Sequence, residues 1–462
     1  MPATQQIIAG DSLLTMDAAN RVIPGGAVLV TDGRIDRVDT LIELIADHPD
    51  VAVKKIANAV LMPGLINAHA HSGFLRGTAE HLPVWDWLTL HINPMHRVLQ
   101  PHEAEAASYL CYAESVLGGT TTVVDMWRYM DGSARAASAI GNRLVAVPYV
   151  GEHPEYNYFD TLDMNEALIE SWHRKADGRI NVWVGLEHLF YADEAGQQRA
   201  IALAKKYRTG FHTHCSEAEI EVAEFVERYG KRPMFVLDEL GFFETPLTMI
   251  AHAVWLDHSE IDLIARHKVS VAHNPVSNMK LASGIALVAD MIAAGIPVGI
   301  GTDGEKENNN FDMFEEMKVA SLLGKLKDRD AAAMDSWQVL RMATILGARA
   351  IGLDHEIGSL EAGKRADLIA VRTDTPRMTP FFGEGPYFNL QHNLVHAVRG
   401  GDVAMTMVDG KILVEDGVLK TGDMQQIIAE VHRVAPGLFE RRAAFLAENR
   451  EGTMQWTKKT GA

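Results

Sequence analysis

The sequence predicts an α/β fold: a (β/α)8 TIM barrel with a small β-sandwich domain built from both chain ends. Three observations predict it. His69-Ala70-His71 follows the apolar run Val60–Ala68. Residues two apart on a strand share a face, so two imidazoles at a strand end converge on one point, as a divalent metal requires. Three later segments each end an apolar or β-branched run in metal-competent or proton-transferring groups: Thr209–Glu217 with His212, His214 and Glu217, Thr248–His252, and Val298–Gly304 with Asp303. The stretches between them are amphipathic and long enough for helices, and polar groups at the carboxyl ends of alternating strands mark a barrel's active face.

The first sixty residues differ in texture. Ile7-Ile8-Ala9 and Ala27–Thr31 are short strand-like runs, and Asp32-Gly33 signals a hairpin before the alternating Arg34–Val38. A second such patch, Ala366–Val371 and Met405–Val414, follows the barrel. Neither patch has enough strands to close a sheet alone, so residues 1–58 and 364–420 are expected to share one sandwich. Residues 59–363 then form the barrel. Its strands end at His69 and His71 (first), Asp125 (second), Val147 (third), Val184 (fourth), His214 (fifth), His252 (sixth), His273 (seventh) and Asp303 (eighth). From about Thr421 to 462 the tail reads as helix, with Ile427, Ile428, Val431, Val434 and Leu438 at helical spacing.

Composition fits this architecture and excludes others. The 462 residues are 47% apolar and 23% charged, with a net charge of −18. That surplus argues against nucleic-acid or anionic-membrane partners, which need clustered Lys and Arg. No run approaches the roughly 18 apolar residues of a membrane span, and the first residues lack a signal-peptide pattern. Two cysteines, Cys111 and Cys215, build no disulfide framework and fit a reducing cytoplasm.

Rival motifs fail on context. Gly299–Gly304 matches GxGxxG, but it lies deep in the chain and encloses Asp303. Ser277-Asn278-Met279-Lys280 matches SxxK without its SDN or KTG companions. The two cysteines lie too far apart for a PCxxC zinc motif, and HExxH is absent.

The segments PGLINAHAH (63–71), HTHCSE (212–217), IAHAVWLD (250–257), AHNPVSNMKLASGIA (272–286), GIGTDGEKENNNFDMFEEMK (299–318) and GSLEAGKRADLIAV (358–371) span nearly the whole chain. In kind and order they resemble the amidohydrolase superfamily, in the branch of triazine hydrolases, S-adenosylhomocysteine deaminases and cytosine and guanine deaminases. The resemblance implies the same barrel and composite sandwich. It assigns metal to His69, His71, His214 and Asp303, with His214 chosen over His212 because Glu217 follows at family spacing. His212 falls to a deeper barrel layer. It also implies assembly as a homodimer or homotetramer.

Three imidazoles and a carboxylate suit one divalent metal per chain, Zn2+ first and Fe2+ second. Binuclear relatives carry a carboxylated lysine at the end of the fourth strand. Val184–His188 offers none, and only Glu187 could bridge a second ion. The expected chemistry is deamination of a small aminated heterocycle: a triazine, pterin, pyrimidine or purine base. An ion at this site lowers the pKa of water from 15.7 toward about 7. Asp303 takes the proton and later hands it to the departing amine, His252 stabilises charge on the attacking oxygen, and Glu217 protonates the adjacent ring nitrogen.

Departures from the nucleoside-acting relatives disfavour nucleosides. The position of their ribose-gripping glutamate falls on His96, and that of their carboxylate-binding arginine on Pro148. Trp85, His96, His188 and Asn278 are the candidate substrate-binding residues, and Trp85, Trp87, Phe190 and Tyr191 would suit a flat ring. Three alternatives stand: triazine dechlorination, dealkylamination or cyclic amide hydrolysis; deamination of S-adenosylhomocysteine, methylthioadenosine or adenosine; and a scaffold without catalysis.

Overall fold

The computed structural model describes residues 5–82 and 84–449. Eight parallel strands, alternating with helices, are built as two arcs. The first arc holds β1 (Leu65–His71), β2 (Thr120–Trp127), β3 (Arg143–Pro148) and the first half of β4 (Ile180–Val182). The second holds the other half of β4 (Val184–His188), β5 (Gly210–Cys215), β6 (Leu247–His252), β7 (Ser270–His273) and the first half of β8 (Val298–Ile300). The second half of β8, Asp303-Gly304, returns to pair with β1, Asp303 opposite Ala70. The ring therefore closes through two strands that change arc partway, making a (β/α)8 barrel.

Most of these strands are buried along their whole length, the pattern of a parallel sheet covered on both faces. The glycines of the GxGxxG match serve this packing. A Cβ on Gly299 would stand 2.7 Å from the Ala68 Cβ, and one on Gly301 would stand 2.8 Å from the His69 carbonyl. They let β8 lie against β1 and so bring Asp303 beside the two histidines.

Strands from both ends of the chain share a second structure of two sheets. Arg34–Thr40, Gly26–Thr31, Gln5–Ala9 and Val53–Lys55 form the smaller sheet. In the larger, Ala59–Pro63 lies antiparallel to Leu368–Arg372, with Leu61 opposite Ala370. Ile8, Val28, Leu61, Leu368 and Met405 fill one core between the sheets. Ala59–Pro63 is thus a sandwich strand, and the chain enters the barrel at Gly64 rather than at 59. Asp32-Gly33 makes its hairpin turn with both residues at positive φ, as does Asp409-Gly410, which divides the expected run Met405–Val414 into Val403–Val408 and Lys411–Glu415.

One buried ion cluster ties sandwich to barrel. Arg143 on β3 donates to both Asp367 oxygens at 3.0 and 3.1 Å and to Asp409 at 2.8 Å. The tail forms the helix Met424–Glu448, which buries Val431, Val434 and Leu438. It packs on the helices Asn93–Val98 and Pro101–Leu117, where Arg441 makes a bidentate contact with Glu103. No described helix is long and apolar enough to cross a membrane.

Candidate active site

The carboxyl ends of β1, β5, β6 and β8 bring His69, His71, His214, His252 and Asp303 to one point. His71 Nε2 lies 3.1 Å from His214 Nε2, which is 3.2 Å from His69 Nε2. Asp303 Oδ1 stands 3.4 Å from His69 Nε2 and 3.3 Å from His71 Nε2. Ligand atoms about 2.0–2.1 Å from a tetrahedral zinc stand about 3.3–3.4 Å apart, so the spacing suits such an ion.

Proton placement suits it too. His71 Nδ1 donates to the Met126 carbonyl at 2.6 Å and His214 Nδ1 to the Glu187 carbonyl at 2.7 Å. His69 Nδ1 donates to His212 Nε2 at 2.8 Å, and His212 Nδ1 donates in turn to the Met249 carbonyl at 2.9 Å. Each ligand histidine therefore turns the lone pair of its Nε2 toward the common point. Burial pushes the His71 and His214 imidazoles well below their usual range, which keeps them neutral as a metal requires. His212 is the second layer behind His69, which agrees with its expected place deeper in the barrel.

Several residues hold this geometry. Asn67 Nδ2 donates to Thr302 Oγ1 at 2.7 Å, and its Oδ1 accepts from Thr302 N at 3.0 Å, latching β8 to β1. Ser277 Oγ donates to Asp303 Oδ2 at 2.6 Å. Asp125 accepts from Ser72 N and Oγ and from Tyr112 Oη, fixing the turn after His71. His252 (φ 74°), Asp303 (φ 59°) and Ser216 (φ 56°) adopt left-handed backbone at three strand ends, strain of the kind that functional sites hold.

His252 and Glu217 complete the reactive cluster. His252 Nε2 lies 3.8 Å from Asp303 Oδ2 and 3.9 Å from Glu217 Oε2. Its Nδ1 donates to Asn278 Oδ1 at 2.9 Å. Burial opposes its protonation, but the charges of Glu217 and Asp303 outweigh that and raise its pKa. Burial raises the Glu217 carboxyl above its usual range, partly offset by His252. For Asp303 burial pulls the other way, yet the His69 hydrogen bond and neighbouring imidazoles hold it well below. Two carboxyls pushed apart in acidity are the marks of an acid and a base.

The cleft above this cluster is walled by Trp87, Leu88, Tyr149, Glu187, His188, Tyr191 and Glu307, among others. The expected substrate contacts are distributed differently. The side chain of Trp85 lies outside the described residues; Trp87, on the same short helix, lines the cleft. His96 is buried beneath Tyr149, stacked on its ring at 4.5 Å, and is not part of the cleft wall. Asn278 orients His252 from behind. His188 does face the cleft, but its Nε2 holds Glu221 at 3.1 Å and its Nδ1 accepts from Phe190 N. Glu187 Oε1 lies 3.8 Å from His214 Nδ1, on the edge of that ring turned away from the cluster, and it is not among the close metal-competent groups found in the described residues. Tyr149 and Glu307 escaped the sequence reading although both follow strand ends, where barrel enzymes carry function.

Comparisons with known proteins agree with this picture. Residues 60–413 match the sequence model of the amidohydrolase family. A 5-methylthioadenosine/S-adenosylhomocysteine deaminase of Thermoanaerobacter pseudethanolicus is 36% identical over 409 residues, 87% of this chain and 93% of that protein. A 5'-deoxyadenosine deaminase of Methanobrevibacter smithii is 38% identical over 428 residues, 90% of this chain and 94% of that protein. A crystal structure of an adenosine deaminase from Xanthomonas campestris with bound zinc superposes with a TM-score of 0.87 at 30% identity, covering 94% of this chain and 98% of that one. The chain belongs to the amidohydrolase family.

Proposed function

We propose that this protein is a metal-dependent aminohydrolase that deaminates an adenosine-type nucleoside, with zinc as its ion. The observation that carries the reading is the placement of Glu217. It is a carboxyl outside the ligand cluster, 3.9 Å from His252 Nε2, with acidity lowered by burial. A heterocycle losing an amine needs such a proton donor beside the attacked carbon. The names of the relatives favour a nucleoside over the free bases and triazines that the sequence suggested. The shift has a physical basis: carboxyls from β4 and from the turn after β8 stand in the cleft, so the missing ribose glutamate at position 96 does not strip it of acceptors.

When bound, the ion supplies Lewis acidity that lets water give up a proton near neutral pH. Asp303, steadied by Ser277, accepts that proton and returns it to the departing amine. His252, steadied by Asn278, orients the attacking oxygen and stabilises its charge. Glu217 protonates the ring nitrogen, so that water adds and ammonia leaves; the added oxygen's remaining proton, released as the oxo group forms, restores the Glu217 carboxyl. The buried, unpaired Cys111 and Cys215 fit a reducing cytoplasm.

The test is ammonia release by the zinc-loaded protein from adenosine, 5'-deoxyadenosine and methylthioadenosine, beside guanine, cytosine and a chlorotriazine. The nucleosides should react fastest. Ammonia from free bases alone, or chloride from the triazine, would overturn the reading.

A further inference from the structure

Glu187 is one of the acids facing the cleft whose chemistry the mechanism leaves unused. Its residue is 5% exposed, and one carboxyl oxygen, Oε1, accepts from Tyr149 Oη at 3.0 Å. Tyr149 is itself held in a three-ring cluster with His96 and Phe159, which also touch each other, so the contact is rigid. The second oxygen, Oε2, is buried and has no partner among the described residues. An acceptor left so is costly, and a donor arriving with the ligand would satisfy it. The Trp87 indole Nε1 is a second buried polar atom on the cleft wall without a partner.

Charge supplies an independent observation. The cleft lining includes Glu187, Glu217, Glu221, Asp303 and Glu307 but no arginine or lysine. β4 and the turn after β8 stand opposite each other in an eight-stranded ring, so Glu187 and Glu307 address a ligand from facing sides. The nearby ammonium of Lys306 is engaged by Glu307 at 2.8 Å. Outside the ligand cluster the only side-chain N–H groups the wall offers an anion are imidazoles and the Trp87 N–H. A carboxylate brought between the two acids meets like charge once the pH exceeds their raised values, about 7 for Glu187 and about 8 for Glu307, both lifted by burial.

We infer that Glu187, pinned by Tyr149, is a specificity residue that accepts a hydrogen bond from an O–H or N–H of the substrate and, with Glu307, selects nucleosides with a neutral or cationic tail over those carrying a carboxylate. The inference rests on the nucleoside reading above and deepens it. Placing a neutral amide N–H where the free carboxylate oxygen stands removes attraction for a donor on a neutral ligand and relieves repulsion of an anionic one, so the two affinities move in opposite directions.

The test is titration calorimetry on the zinc-loaded Glu217→Gln protein, which turns over slowly, with 5'-deoxyadenosine and adenosine 5'-carboxylate. The neutral ligand should bind ~10²-fold more tightly, the discrimination expected where a polar site meets the wrong charge. Adding Glu187→Gln should weaken 5'-deoxyadenosine ~10-fold, leave the carboxylate unchanged or tighter, and keep the zinc content at one per chain. Tyr149→Phe, which keeps the acid but frees it, should weaken the neutral ligand alone by a smaller factor. Equal affinity for the two ligands in the Glu217→Gln protein, or equal losses for both on adding Glu187→Gln, would overturn the inference. So would loss of zinc, which would make Glu187 a ligand. Binding that follows this pattern without ammonia release from any nucleoside by the unmutated protein would sustain it and refute the functional reading instead.

Discussion

Replacing Glu217 by glutamine isolates its proton. The amide matches the carboxyl in shape and can still accept from Ser283 Oγ, now at 3.1 Å, so the cleft should keep its form. No ligand atom is lost, because His69, His71, His214 and Asp303 close the coordination set without it. What disappears is the ability to hand a proton to the ring. A positioned acid contributes about 10²–10⁴ in rate, or about 3–5 kcal/mol of transition-state stabilisation. The assay is steady-state ammonia release beside metal analysis of the same preparation. Zinc content and nucleoside binding should persist while kcat falls by that factor. The pH profile provides a second reading. Burial raises the Glu217 pKa, and the acid must be protonated to act, so the rate should fall as pH rises through that raised value. In Glu217→Gln this alkaline limb should vanish. Metal loss in the variant, or undiminished turnover, would refute the proton-donor role.

Other outcomes follow from the same geometry. His71→Ala should remove one of four ligands and abolish stoichiometric zinc, read by metal analysis after dialysis. His212→Phe removes the acceptor that fixes the His69 tautomer, and should weaken zinc about 10–100-fold in a chelator competition while the fold persists. Arg143→Met should strand Asp367, whose side chain is 2% exposed, and cost about 3–5 kcal/mol in denaturant unfolding. The double variant Arg143→Met/Asp367→Leu should recover much of that loss.

The cluster of proposed ligands was legible in the sequence because each of its residues occupies a strand end, and spacing along one strand is a local property. His69 and His71 declare their shared face by alternation alone. The eight strands were legible as apolar runs, but the breaks in β4 at Trp183 and in β8 at Gly301-Thr302 were not. These depend on which neighbour each half-strand pairs with, and pairing joins residues far apart in the chain. The same reason hid the supporting groups. Asn278 reads from the sequence as a substrate contact, whereas the fold sets it against His252, 26 positions earlier. His96 was placed on the cleft by its position in a motif, whereas the ring of Tyr149, just past β3, covers it. Residue type and local period specify what a strand end can do; tertiary packing decides which atoms remain free to do it.

The sandwich imposes an order on synthesis. Leu61 finds its partner in Ala370, 309 residues later, so the N-terminal strands emerge long before the strand that completes their sheet. At about 5–20 residues per second, the ribosome leaves that edge waiting for roughly 15–60 s. Gly64 joins this unfinished sheet directly to β1, the strand that carries two of the four metal ligands. A nascent chain stopped short of Leu368–Arg372 would expose the edge of Ala59–Pro63 next to an already collapsing barrel, an invitation to pair with another chain. Late closure of the sandwich thus leaves the strand that leads into β1 with one edge unpaired until the far end of the polypeptide has been made.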